Sequence, residues 1–153
     1  MRISLLFAVL GATACATAPQ AHDVKKYGTI HASADATWAA VIALFGEKGW
    51  PIETIDKGSG LISTKWLQGR AELADCGTAP LATVVATRGR FNLIVRPAPD
   101  GTRITINTTF RQVRSFADQS SVIECTSTGI VEAGIQRDIA SIVAGTREAA
   151  DAN

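Results

Sequence analysis

Between Arg88 and Val113, apolar and polar side chains alternate on both sides of the turn cluster Pro97-Ala98-Pro99-Asp100-Gly101. Phe91, Leu93 and Val95 fall on one side of an extended chain, and Arg90, Asn92 and Arg96 on the other. Past the turn, Ile104, Ile106, Thr108 and Phe110 oppose Arg103, Thr105, Asn107 and Arg111. Successive side chains of a strand point to opposite faces, so a period of two marks a half-buried strand. Asp-Gly between two such runs is a hairpin signal. The segment therefore predicts an antiparallel hairpin with one wet face and one apolar face that needs a cover. A slip of one residue would turn the whole apolar set to water, which fixes the register.

Two helices are expected to supply the cover. Trp38, Val41, Ile42 and Phe45 recur at spacings of three and four, predicting a helix over 34–48. Ser33 stands at its N-cap position, Asp35 in its first turn, and Gly49 and Pro51 end it. A second apolar stripe, Val131, Ile135, Ile139, Ile142 and Val143, predicts a final helix to about residue 147, with N-cap oxygens in Thr126-Ser127-Thr128. Short strands are expected at 27–32, 52–56 and 61–67, with a turn at 57–60. Another short strand is expected over 81–86, a polar loop over 115–121 and a brief extended piece at 122–125. A sheet and helices that each have one apolar face pack as two layers. The expected class is α+β, a curved antiparallel sheet packed on two helices. With 46% apolar and 19% charged residues, the chain can form a core of that kind.

The N-terminus follows other rules. Arg2, the apolar run Ile3–Leu10 and the small residues Gly11–Ala14 have the layout of an export signal, too short to span a membrane. Small residues directly before Cys15 resemble the lipobox of bacterial lipoproteins, with Ala12 where that motif usually has Leu. The resemblance implies that the Cys15 sulfur receives a diacylglycerol, whose acyl chains (palmitate or related) anchor it, that Cys15 becomes the first residue after cleavage, and that Ala16 directs the chain to the outer membrane. Ordinary signal cleavage, which Ala12-x-Ala14 also satisfies, leaves a soluble periplasmic chain instead. The expected organisation is a signal peptide over 1–14, a lipid-anchored tether over 15–26, one domain over 27–148 and a frayed tail over 149–153. Loss of Arg2 with the signal leaves 14 basic residues against 14 acidic ones. That balance gives no electrostatic case for nucleic acid.

With Cys15 acylated, Cys76 and Cys125 remain, and an oxidising compartment favours their pairing. Two buried free thiols are the alternative. Neither cysteine has a CxxC partner, and His22 and His31 are distant in sequence, so no metal site is expected. The Trp38 helix, Gly49-Trp50-Pro51-Ile52, Gly60-Leu61-Ile62-Ser63-Thr64-Lys65-Trp66, Asp75-Cys76-Gly77 and Cys125-Thr126-Ser127-Thr128-Gly129 together resemble small helix-grip lipoproteins of the periplasm. Their best-known member is the C subunit of the outer-membrane β-barrel assembly machine. The resemblance covers most of the expected mature chain, but with one such domain where that subunit has two. It implies fold and compartment, and by analogy a non-enzymatic, envelope-assembly role with a protein partner.

No residue is expected to be catalytic. His31 is the one histidine inside the expected domain, and Asp56, Glu72, Asp75, Glu124 and Glu132 are scattered. There is no GxGxxG, Walker loop or HExxH, and no cofactor is expected. Arg88, Arg90, Arg96, Arg103, Arg111 and Arg114 form the densest cationic set, of which Arg90, Arg96, Arg103 and Arg111 are expected on the wet hairpin face. That face is a solvated sheet surface or a docking patch for an acidic partner. Trp50 and Trp66 offer the same choice between core and interface. The sequence thus predicts a protein-interaction module of the envelope. The alternative is a carrier of a small apolar ligand held between the sheet and the last helix, which a pocket of a few hundred cubic ångströms would favour.

Overall fold

The computed structural model describes residues 15–151. In chain order these form β1 (Tyr27–Ile30), α1 (Ala34–Lys48), β2 (Ile52–Asp56), β3 (Leu61–Thr64) and β4 (Leu67–Gln68). A 3₁₀ turn (Ala71–Leu73) and β5 (Ala74–Asp75) follow, then β6 (Thr83–Ala98), β7 (Gly101–Phe116), β8 (Gln119–Ser127) and α2 (Ile130–Asp151). The result is an α+β fold in which one antiparallel sheet packs on two helices.

The β6–β7 hairpin is the spine. Its register pairs Arg96 with Arg103, Asn92 with Asn107 and Arg88 with Arg111, as the alternation requires. Each spine strand has two successive neighbours on its outer side. β7 pairs with β1 over Thr102–Thr105 and with β8 over Phe110–Phe116. β6 pairs with β3 over Asn92–Ile94 and with β4 over Arg88–Gly89. β2 extends the sheet beyond β3, and β5 pairs with β8.

Both helices cover the same face. Phe91, Leu93, Val95, Ile104 and Ile106 from the spine are buried with Val41, Leu44 and Phe45 of α1 and Ile135, Ile139 and Val143 of α2. Each such side chain contributes roughly 1.5–3 kcal/mol by leaving water. α1 starts where its capping sequence requires: the Ser33 hydroxyl accepts the Ala36 N–H at 3.2 Å. It ends at Gly49, which is left-handed at φ 62°. Its buried stripe includes Leu44 and leaves Ile42 exposed, a shift of the expected face. α2 also departs from expectation. It continues unbroken through 149–151, where fraying was expected.

Two further differences have local causes. The strand expected over 61–67 stops at Thr64: Lys65 stands opposite Pro51 and donates to its carbonyl at 3.0 Å, but Pro51 has no N–H to return the bond, so the ladder ends there. Trp66 then turns onto the outer face, and Leu67 rejoins the sheet against Gly89. The polar loop expected over 115–121 is a tight turn between two strands. Ala117 and Asp118 both take left-handed conformations, φ 46° and 62°, whose twist suits a two-residue hairpin. β7 and β8 therefore project together beyond the helices, beside the first residues of β6.

Cys76 and Cys125 form a disulfide, with 4.3 Å between their Cα atoms. It joins β5 and β8 to a small cluster with Ala74 and Phe110. Residues 16–26, expected as a tether, form no helix and one isolated bridge, Thr17 with Thr78. They run along the body in hydrogen-bonded contact. The Gln20 carbonyl accepts the Thr126 hydroxyl, the Lys25 carbonyl accepts the Gln136 amide at 3.0 Å, and the Lys26 carbonyl accepts the Ile106 N–H at 2.7 Å. The expected signal, residues 1–14, lies outside the described residues. Among those described, no helix is long and apolar enough to cross a membrane.

Candidate functional site

A concavity lies where the end of α1, the start of α2 and the inner sheet face meet. It holds about 350 Å³. Gly89, Thr108 and Phe110 form its sheet side, while Trp50, Leu67, Phe91 and Val131 wall it. The exposed Lys48 and Gln68 stand at its rim.

The aromatic wall is built by edge-to-face packing. Trp50 lies 4.8 Å from Phe91 and 5.4 Å from Phe45, centroid to centroid, and Phe45 is 5.7 Å from Phe91. These separations are in the favourable range for T-shaped pairs. Trp50 is positioned by the helix exit: its N–H donates to the Phe45 carbonyl at 3.1 Å. The width of the cleft depends on Gly89. This residue faces Phe110 across the β6–β7 ladder, and the Phe110 ring lies over it. A Cβ on Gly89 would come within 2.6 Å of that ring, so the close approach requires glycine.

Behind the sheet side lies Glu132, fully buried in the first turn of α2. Its carboxylate accepts the Thr108 hydroxyl at 2.6 Å and the Ser127 hydroxyl at 2.9 Å. The Ser127 oxygen in turn accepts the Gly129 N–H at 3.0 Å, which ties the group to the helix start. Thr108 belongs to both this network and the cleft, so a polar contact backs a largely apolar chamber.

The four outward arginines separate into two places. Arg96 and Arg103 pair near the β6–β7 turn, where Arg103 lies over Tyr27 at 5.9 Å. Arg90 and Arg111 lie further along the spine and share Trp66, at 4.9 and 5.1 Å from its ring. Arg111 also donates to Glu124 at 2.6 Å. Exposed pairs of that kind contribute at most about 1 kcal/mol. Arg88 faces Arg111 across the ladder.

Arg114, grouped with these by sequence, belongs to the inner face and is buried. It donates to Gln112 Oε1 at 2.6 Å and to the carbonyls of Cys76 and Gly77 at 2.6 and 2.9 Å. Its work is to hold the disulfide loop against β7. Strand parity contained the signal: Arg114 has the same parity as Phe110, two pleats on.

His31 is exposed, and its ring Nδ1 is 3.2 Å from the Asp100 carbonyl, which makes it the donor there. It lies outside the cleft. His22, distant from Cys76 in sequence, is near it in space: its ring nitrogen stands 3.4 Å from Asp75 Oδ2. The Gly77 N–H, at 2.7 Å from Asp75 Oδ1, is the main cause holding the Asp75 carboxyl below its ordinary range. Gln20 and His22 add to the effect, against an opposing desolvation. Among the described residues, no group of three or more His, Cys, Asp or Glu is arranged to hold a metal ion.

No protein-family model matches the chain, and a search of curated proteins finds no match. Sequence reasoning missed the Glu132 network, the Trp66 stack and the role of Gly89. For Gly89 there was a signal, an isolated glycine inside an alternating strand, which often marks a close approach. The Trp66 stack and the Thr108 contact of Glu132 join segments far apart in sequence and had none, while the Ser127 contact of Glu132 is local to the start of α2.

Proposed function

We propose that this chain is a non-enzymatic binding protein of the cell envelope, exported and held at the periplasmic face of the outer membrane by lipid on Cys15, and that its cleft takes a small, largely apolar ligand. The observation carrying this reading is the cleft itself, about 350 Å³ walled by Trp50, Leu67, Phe91, Phe110 and Val131. Ligand pockets typically run from about 300 to 1,000 Å³ and combine apolar walls with a few placed polar groups. Thr108 supplies such a group, and Lys48 stands at the rim in an ion pair with Asp138 at 3.0 Å, which suits a ligand with one polar end.

The test uses 1-N-phenylnaphthylamine, a neutral apolar fluorophore. Saturable enhancement, with quenching of Trp50, is expected for the native chain. Val131→Trp fills the cleft and is expected to abolish it, with an unchanged urea midpoint as the folding control. Enhancement that persists in folded Val131→Trp, or none in the native chain, defeats the reading.

A second reading, a protein-interaction module for envelope assembly, is favoured by Trp66 in contact with both the Arg90 and Arg111 guanidiniums on the outer face. Trp and Arg dominate interface hot spots. In-cell crosslinking of the tagged chain is expected to recover a discrete membrane-fraction partner that Trp66→Ala loses. Recovery unaffected by that substitution removes the outer face from the interaction.

A further inference from the structure

We infer that the projecting end of the sheet is a membrane-docking surface that dips into the lipid interface beside the anchor. The inference rests on the reading that Cys15 is acylated, and it adds an orientation to it.

Five large apolar side chains are exposed at this end: Leu81 at 71%, Val84 at 53%, Val85 at 61%, Phe116 at 56% and Val122 at 61%. Register brings them to one end of the sheet, on both of its faces: Val84 pairs with Arg114 and Phe116 shares that inner parity, while Val122 pairs with Val113 on the outer side, and Leu81 lies in the turn leading into β6. Burying Arg114 beneath the disulfide loop removes the one cation of this end from the surface. Residues 76–87 carry no charged side chain, and 115–123 carry only Asp118, in a chain with 29 charged residues. An exposed apolar patch whose one charge is Asp118 at the turn marks a surface that meets something other than water.

The position of the anchor identifies what it meets. Thr17 and Thr78 exchange backbone hydrogen bonds at 3.0 and 3.1 Å, and their hydroxyls lie 2.9 Å apart. The contact is close: a Cβ on Gly77 would lie 2.1 Å from the Thr17 carbonyl oxygen. Exposed Cys15 is two residues before Thr17, so at most about 7 Å of chain separates the anchoring sulfur's residue from this corner. Leu81 is three residues beyond Thr78, within about 11 Å by the same limit, and the Ala82 N–H to Ala79 carbonyl bond at 2.9 Å turns the chain toward β6. The acyl chains and the apolar end of the sheet therefore share one corner. A bilayer that takes the first meets the second.

The experiment places the photoreactive residue p-benzoylphenylalanine at Phe116 and, separately, at Leu81 in the full-length chain expressed in bacterial cells. Ile55, 52% exposed on β2 and pairing toward the other end of the spine, is the apolar control. An alkyne fatty acid reports acylation of Cys15 independently. Irradiation is expected to yield phospholipid adducts at positions 116 and 81, at least fivefold over position 55, with loss of most adduct in a Cys15→Ala chain. Equal lipid capture at all three positions overturns the inference, as does a discrete protein adduct at 116 in place of lipid. Acylation without lipid capture overturns the docking face and spares the anchor. Lipid capture without acylation keeps the face and overturns the anchor, and neither signal overturns both.

Discussion

Replacing Cys76 and Cys125 together by Ala should lower stability by an amount set mainly by the loop they close. The cysteines are 49 residues apart. For a loop of that length the chain-entropy relation gives about 14 cal/mol/K, or about 4 kcal/mol at 25 °C. Strain-free loss of two sulfur atoms from the cluster around Ala74 and Phe110 adds to this. With a urea slope of about 2 kcal/mol/M, the midpoint should fall by about 2 M. The slope itself should rise, because the unlinked denatured chain is more expanded and exposes more surface. The assay is equilibrium urea unfolding followed by Trp fluorescence and circular dichroism, on oxidised native chain and the double variant. A midpoint shift below about 0.5 M with unchanged slope would refute the reasoning: it would mean that the unfolded chain already holds residues 76 and 125 together. A loss of two-state behaviour confined to β5 and residues 16–26 would also refute it, since the crosslink would then stabilise one corner and not the whole fold.

Arg114→Met keeps the stem's packing and removes the donors to the Cys76 and Gly77 carbonyls; it should cost about 2–4 kcal/mol and speed amide exchange at Gly77 and Thr78. Gly89→Ala should displace the Phe110 ring, destabilise the fold by about 1–3 kcal/mol and weaken binding of the fluorophore in the cleft, read by titration and urea unfolding on one sample. Asp75 has a lowered pKa in the folded chain, so its contribution to stability is fully present above its unfolded value near 3.8 and is lost as pH falls through the lower folded value. Asp75→Asn should therefore reduce the drop in urea midpoint between pH 6 and pH 3; an identical drop would show that the Gly77 contact does not survive in solution.

The parts of this fold that sequence made readable are those held by local rules. Ser33, Gly49 and the spacing of Trp38, Val41 and Phe45 define α1 within itself, and the β6–β7 spine follows from alternation around one turn. The third strand of the projecting end was hidden. Ser115 to Ser121 is polar at every position but Phe116 and Ala117, and the turn uses left-handed Ala117 and Asp118, with no glycine to announce it. The site was harder for a different reason. Trp50, Leu67, Phe110 and Val131 come together only through the sheet and helix packing, and nothing in their own neighbourhoods marks them as one wall. Arg114 illustrates how chemistry misleads: its charge placed it with the surface arginines, while its strand parity placed it inside.

The position of β1 and α2 at opposite ends of the chain dictates when the fold can close. β1 lies against Thr102–Thr105, and the core that buries Val41 and Phe45 is finished only by Ile135, Ile139 and Val143. A ribosome or a secretion channel releases the N-terminus first, so β1 and α1 emerge with no sheet to rest on, and then wait while some seventy residues follow. Only the locally joined hairpins, β2–β3, β6–β7 and β7–β8, can form as they emerge. The last twenty residues complete the core, and a chain released without them would present the apolar side of its sheet to whatever is nearby.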